Sequence, residues 1–318
     1  MARKYLLSID GGGIRGIIPL CALVELETQL RKPARDVFSF MAGTSTGAII
    51  GAALARGMGA IEALAVYEKL GREVFKLDVL GFVTSLGSFK YRSKALHDKL
   101  VTYLGDPVLN ELPLDVMFTS MRVRDGRPYF FVKDNPANAR TTGKLRLSDC
   151  VTASSAAPTF FEPWDVPGIG SCIDGGLTIA GNPCYQTCVE AFDYTPAGTY
   201  TPANTSIIAL GTGYYPTRAK PANLLDWVRF IIGQLLEEPA DQQTQLVQRH
   251  YEPLGASVFR WNPELPREIS MDDVGAIPTL IAIGKDLAST LDWRKILAGD
   301  AVQAQRAFPG KLPRNLVD

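Results

Sequence analysis

Residues 5–16 read YLLSIDGGGIRG and residues 37–47 read VFSFMAGTSTG. The first segment is a short apolar run that stops at Asp10 and three glycines. Residues 14–29 follow with Ile17, Leu20, Leu23, Val24 and Leu26 at helical spacing. Pro19 lies near the start of that helix, where a missing N–H costs least. Residues 37–42 predict a second strand, and residues 43–47 a turn into another apolar helix. A strand–helix–strand unit of this kind joins two parallel strands through a right-handed crossover. The carboxyl ends of both strands then lie on one edge of the sheet, which makes the Gly11–Gly13 loop and the turn holding Ser45 neighbours. Open α/β sheets bind ligands at that edge.

Working outward, helices are predicted over 61–75 and 93–104. The stretch 77–89 between them is apolar and glycine-bearing without a clear period; a packed loop is the preferred reading and a lid the alternative. Residues 116–123 and 128–132 read as a hairpin around Asp125-Gly126, and residues 207–210 as a later buried strand. Helical stretches follow, notably 224–236, and then a Pro-rich tail. Leu225, Val228, Ile232 and Leu235 share one face of that stretch, a pattern that belongs to a core more often than to a membrane surface. Strands and helices interleave without a linker-like change of composition. The expectation is one α/β domain over 1–318, with a motif-bearing core at 4–213 and helical additions over 214–318.

The charge is balanced, with 33 basic and 33 acidic residues, which argues against binding nucleic acid through a strongly basic surface. Arg31, Lys32 and Arg35 form a short basic cluster of the sort found at solvated helix ends. The five cysteines (Cys21, Cys150, Cys172, Cys184 and Cys188) include no CxxC pair, so reduced thiols in a cytoplasmic protein are expected, with neither a disulfide framework nor a zinc site. Residues 47–67 are the most apolar stretch, but Arg56, Gly57, Gly59 and Glu62 interrupt it, and it makes a poor membrane span.

Gly43-Thr44-Ser45-Thr46-Gly47 fits the G-x-S-x-G elbow, in which a serine on a tight strand-to-helix turn exposes its hydroxyl. Flanking glycines let strand and helix approach, and the helix N-terminus offers N–H groups near a developing oxyanion. Asp10–Gly16 also satisfies the outline of G-x-G-x-x-G, the dinucleotide fingerprint. That reading requires an acidic residue at the end of the second strand, where Ala42 and Gly43 stand instead, and Asp36 is at the wrong end. An anion-holding loop of backbone N–H groups fits better. Asp174-Gly175-Gly176 follows Cys172-Ile173 and places a carboxylate at a strand end. Aspartate is a weak base, and to take a serine proton it must be partly desolvated and bonded to that hydroxyl. The two histidines, His97 and His250, both read as surface residues, although the order Ser45, Asp174, His250 matches an α/β-hydrolase triad and keeps a soluble esterase or acyltransferase as an alternative.

Taken together, DGGGIRG at 10–16, GTSTG at 43–47, ASSAAPTFFEP at 153–163, DGG at 174–176 and IALGTG at 208–213 resemble the patatin-like phospholipase family, in that family's order. The resemblance implies a three-layer α/β/α fold with a mostly parallel central sheet. It implies a Ser–Asp dyad, with Ser45 as nucleophile and Asp174 as base, an oxyanion hole on the backbone of Gly11, Gly12 and Gly13, and no cofactor or metal. Arg15 corresponds to the family's loop arginine, with a role either toward an anion or in pinning the loop. Ser154 and Pro158 belong to a block read as wall and support. The implied substrate is a phospholipid or lysophospholipid, met by peripheral contact with a membrane. Bacterial members of cyclic-nucleotide antiphage defence resemble the chain at the same motifs, which adds a cyclic-nucleotide activator as a candidate partner. The C-terminal third, which matches none of these motifs, is the candidate place for such a site or for a homodimer surface.

Overall fold

A computed structural model describes residues 3–75, 89–138, 141–215 and 239–299, together with Ala222 and Trp227. Strands β1 (Lys4–Ile9), β2 (Phe40–Thr44), β3 (Asp115–Arg122), β7 (Thr205–Leu210) and β8 (Ser257–Trp261) lie parallel in the order β3-β2-β1-β7-β8. Antiparallel to β3 run β4 (Arg127–Val132) and β6 (Gly170–Asp174), and β6 carries β5 (Trp164–Val166) on its far side.

Successive strand residues point to opposite faces, and both faces here are apolar. Leu7, Ile9, Met41, Ile208 and Leu210 pack on one side with α1 (Ile17–Leu30), α3 (Thr46–Ala55), α4 (Ala60–Val74) and α9 (Ile277–Ser289). Leu6, Phe40, Ala42, Ile207 and Ala209 point the other way, onto α7 (Cys184–Asp193) and Val247 of α8 (Pro239–His250). The result is the expected three-layer α/β/α sandwich around a mostly parallel sheet. Helices α5 (Ser93–Leu104), α6 (Leu147–Ser155) and α10 (Trp293–Ala298) complete the first layer. Each fully buried Leu, Ile or Val contributes roughly 1.5–3 kcal/mol relative to exposure. All five cysteines are buried and free, and Cys184 and Cys188 are packing residues of α7. Among the described residues no helix is long and apolar enough to cross a membrane.

Several boundaries differ from the sequence reading. Pro33 opens a one-turn helix, α2 (Ala34–Val37), so the second strand starts at Phe40 and runs on through Thr44. The helix expected from residue 14 begins with a 3-10 turn over Gly13–Gly16, which keeps the glycine loop distinct from α1. The stretches 77–89 and 224–236 lie outside the described residues, Phe89 and Trp227 apart. The expected helical additions also contain a strand, β8, which extends the parallel sheet beyond β7. From β8, Arg260 reaches back to Asp10 at the end of β1 in a bidentate pair of 2.9 and 2.6 Å, with each side chain 7% exposed.

Removing one member of a buried pair leaves the other charge stranded. Arg260→Met is therefore expected to lower the unfolding free energy by about 3–5 kcal/mol, read from urea denaturation curves followed by circular dichroism.

Candidate active site

Strand β4 pairs with β3 continuously from Met117 to Arg122, so β2 and β6 must share the other side of β3. Strand β2 occupies residues 115–119 and β6 takes over at residues 120–122. Because β2 runs with β3 and β6 runs against it, their carboxyl ends point at each other. Thr44 sits opposite Thr119, and Asp174 sits opposite Ser120, the next residue along. Ser45 and Asp174, 129 positions apart in the chain, thus meet across a one-residue step on β3.

The elbow takes the strained form its sequence demands. Ser45 has φ 54° and ψ −118° and stands just before α3, a conformation that costs of order 1–3 kcal/mol in a residue with a side chain. A Cβ on Gly43 would lie 2.1 Å from the Gly47 carbonyl oxygen, and one on Gly47 would lie 2.1 Å from that of Ile9, so neither position accepts a larger residue. The Ser45 N–H donates to Ser154 Oγ at 2.9 Å, which gives the supporting block at 153–163 a specific task. Gly175 has a similar explanation, since a Cβ there would approach the Thr119 carbonyl oxygen to 2.6 Å.

Asp174 is 1% exposed. Its Oδ1 accepts the Gly176 N–H at 2.7 Å, and Ser45 lines the same cleft beside it. Burial pushes its pKa up from the usual 3.8 to about 6, while the Gly176 amide and the Ser45 hydroxyl pull in the opposite direction. The carboxylate is therefore a markedly better proton acceptor than a solvated aspartate and is still ionised at neutral pH.

The glycine loop is held from several sides. Thr212 Oγ1 donates to the Gly11 carbonyl at 2.9 Å, the Thr46 and Tyr67 hydroxyls both reach the Gly13 carbonyl at 2.7 Å, and the Ile14 N–H donates to the Met271 carbonyl at 2.7 Å. Gly13 has φ 57°, and a Cβ there would lie 2.2 Å from the Met271 carbonyl oxygen. The three glycines expected as oxyanion donors differ in their surroundings. The Gly11 N–H is engaged by the Gly181 carbonyl at 3.1 Å, whereas Gly12 and Gly13 border the cleft beside Ser45. Arg15 is buried, lies 5.4 Å from the centre of the Tyr215 ring and donates from Nε to the Gly12 carbonyl at 3.4 Å.

Neither histidine joins this group. His250 Nδ1 meets the Tyr185 hydroxyl at 3.1 Å, in the opposite helical layer from the cleft. His97 is not the solvated residue expected. Its ring stacks on Trp164 at 4.6 Å, and Nε2 lies 3.0 Å from Ser148 Oγ. An apolar cleft opens from Ser45 and Asp174 between Ile49, Leu70, Val74, Phe75, Leu96 and Phe161. Arg260, Tyr67 and Met271 were not found by sequence reasoning, because each reaches the loop from a different part of the chain and carries no local motif. Thr212 had a signal, since it lies within IALGTG.

A family model described as patatin-like phospholipase matches residues 7–187, the segment that holds both Ser45 and Asp174. The chain belongs to the patatin-like phospholipase family. Among its patatin-like relatives, the cGAMP-activated phospholipase of Escherichia coli (strain TW11681) is 31% identical over 201 residues, covering 60% of this chain and 56% of that protein. Patatin-like protein 2 of Arabidopsis thaliana is 32% identical over 254 residues, covering 68% and 61%. The 85/88 kDa calcium-independent phospholipase A2 of Rattus norvegicus is 24% identical over 314 residues, covering 86% of this chain and 37% of that one. The chain thus spans little more than half the length of the E. coli relative and about a third of the rat one. Arg260, Met271 and Thr212, which hold the glycine loop, lie outside the patatin-like segment.

Ser154→Ala removes the acceptor from a buried N–H at the elbow. A stability loss of about 1–3 kcal/mol is expected, measurable by chemical denaturation, with a fall in activity that Ser154→Thr partly restores.

Proposed function

We propose that this chain is a lipid acyl hydrolase that cleaves a carboxylic ester of a phospholipid or lysophospholipid through an acyl-enzyme, with Ser45 as nucleophile and Asp174 as its base. The observation that carries this reading is the meeting of Ser45 with the buried Asp174 carboxylate across the one-residue step on β3, at the head of an apolar cleft.

In the first step Ser45 Oγ attacks the ester carbonyl carbon while Asp174 accepts the hydroxyl proton. The carbonyl oxygen becomes an oxyanion, for which the N–H groups of Gly12 and Gly13 are the fitting donors. The tetrahedral adduct collapses as the C–O bond to the leaving group breaks, and the proton on Asp174 passes to that departing oxygen to release an alcohol. Water then attacks the Ser45 acyl ester, Asp174 takes a proton from it, and collapse returns that proton to Ser45 Oγ with release of a carboxylic acid. Asp174 performs both transfers, and the scheme uses no histidine. Arg15, packed against Tyr215 and bonded to Gly12, serves to pin the loop. The apolar walls of the cleft suit an acyl chain, and withdrawing a lipid from a bilayer calls for contact with the membrane surface.

A second layer, switching by a cyclic nucleotide, is favoured by two relatives described as cGAMP-activated phospholipases, at 31% and 29% identity. Comparing fatty-acid release from vesicles with and without a panel of cyclic di- and trinucleotides tests it, and an equal rate in every arm rejects it.

Ser45→Ala and Asp174→Asn are each expected to reduce ester hydrolysis by at least 10³-fold while the folded circular dichroism spectrum is kept, and His250→Ala to change it less than threefold. Mass spectrometry of products from a total lipid extract reads the outcome; hydrolysis surviving either of the first two changes refutes the dyad. The base works only when ionised, so kcat/KM is expected to fall about tenfold per pH unit as pH drops below about 6, rather than below about 4. The same carboxylate disfavours the fold once ionised. The interval from 3.8 to about 6 corresponds to about 3 kcal/mol. That cost is absent below pH 3.8, grows as pH rises and is complete above about 6. Asp174→Asn should therefore stabilise the protein at pH 8 and not at pH 3.5, as thermal melts at the two pH values would record.

A further inference from the structure

A second, smaller cavity lies beside the cleft in the first helical layer, between α3, α4 and α5, and is lined by Ile50, Ala53, Ala63, Val66, Leu100 and Leu104. Its volume is about 10 Å³, against about 60 Å³ for the cleft at Ser45. Ile49, Tyr67 and Leu70 line both spaces, so the two are separated by a single layer of side chains. A volume of this size holds about one water-sized group, and its walls are mostly apolar. Its outer wall includes Tyr103, whose hydroxyl donates to Glu73 at 2.9 Å, with Lys99 2.9 Å from the same carboxylate. The space therefore ends in a polar surface cluster, where a hydrocarbon would stop.

We infer that this inner chamber is the distal part of an acyl site, and that Ile49 and Leu70 form a partition that sets how long a chain the protein accepts. The inference rests on the acyl-hydrolase reading above and names a determinant of its substrate class: a single unbranched acyl chain whose methyl end reaches the partition. Ile49 and Leu70 line the same cleft as Ser45, so a chain attached through its carbonyl at Ser45 would run along them. Tyr67, the third shared residue, is unsuitable as the adjustable part, because its hydroxyl holds the Gly13 carbonyl and Thr46 Oγ1. Ile49 and Leu70 have no polar task and can change size without releasing the glycine loop.

The test uses the full chain and a series of p-nitrophenyl esters with acyl chains of roughly 4 to 16 carbons. Leu70→Ala opens the partition and should raise the ratio of kcat/KM for the longest ester over a medium one by about tenfold. Ala63→Leu fills the inner chamber from the opposite side and should lower that ratio by a similar factor. Ratios within twofold of wild type in both variants, with folded circular dichroism spectra, overturn the inference. A parallel arm measures displacement of a fluorescent fatty acid by decanoate and by palmitate in Ser45→Ala protein, with and without Leu70→Ala. Palmitate gaining over decanoate when the partition is opened supports the chamber, and an unchanged order rejects it. Ester turnover that is absent, or that survives Ser45→Ala, instead defeats the acyl-enzyme reading, and the binding arm then decides the chamber independently.

Discussion

The site depends on β3 having two different neighbours along one side. Strand β2 pairs as far as Thr119, β6 begins at Ser120, and the two strands point their carboxyl ends at the junction. Backbone hydrogen bonds thus set the separation of the serine elbow and the aspartate before any side chain contributes. Strand register has a period of two residues in side-chain direction. A one-residue slip of β6 would turn the Asp174 carboxylate to the opposite face of the sheet, away from Ser45. The long β4 partner holds β3 straight through the junction and leaves neither β2 nor β6 an alternative place to pair.

Around that junction the protein maintains three unfavourable features at once: a serine at positive φ, a carboxylate removed from water, and a glycine loop with positive φ at Gly12 and Gly13 that borders a cleft. None is stable in isolation. The elbow persists because α3 starts from the Ser45 carbonyl, which accepts the Ala48 and Ile49 N–H groups at 2.9 and 3.2 Å. Asp174 tolerates burial because the Gly176 N–H donates to it. The loop is held through its carbonyl oxygens by Thr212, Thr46 and Tyr67. That arrangement fixes the loop where Gly12 and Gly13 border the cleft beside Ser45.

Much of this was legible in the sequence because the decisive signals are local. GTSTG encodes the elbow through two close approaches, Gly43 to Gly47 and Gly47 to Ile9, and DGG encodes a carboxylate followed by a residue that must clear Thr119. The apolar runs at 5–9 and 207–210 read as buried strands because both their faces are covered. What escaped is long-range. Nothing near Arg260 indicates that it neutralises Asp10, 250 positions earlier, and nothing near Met271 indicates that its backbone carbonyl receives Ile14. The one-turn helix at Ala34–Val37 was missed because its apolar Val37 and the following Phe38 looked like the start of a strand, although Pro33 had already begun a helical turn. His97 was misjudged since stacking on Trp164 joins residues whose proximity depends on how α5 packs against β5 and α6.

The pairing of Asp10 with Arg260 separates two lengths of chain that are easily equated. The match to the family model ends at residue 187, before β7 and β8. A fragment stopping there would leave one edge of β1 with its backbone groups unsatisfied, since β7 is the neighbour that pairs with it. It would also leave Asp10 without its guanidinium at the base of the glycine loop. The family model thus marks out a length of chain shorter than the one that builds the sheet, and the remainder supplies part of the scaffold on which the shared motifs take their shape.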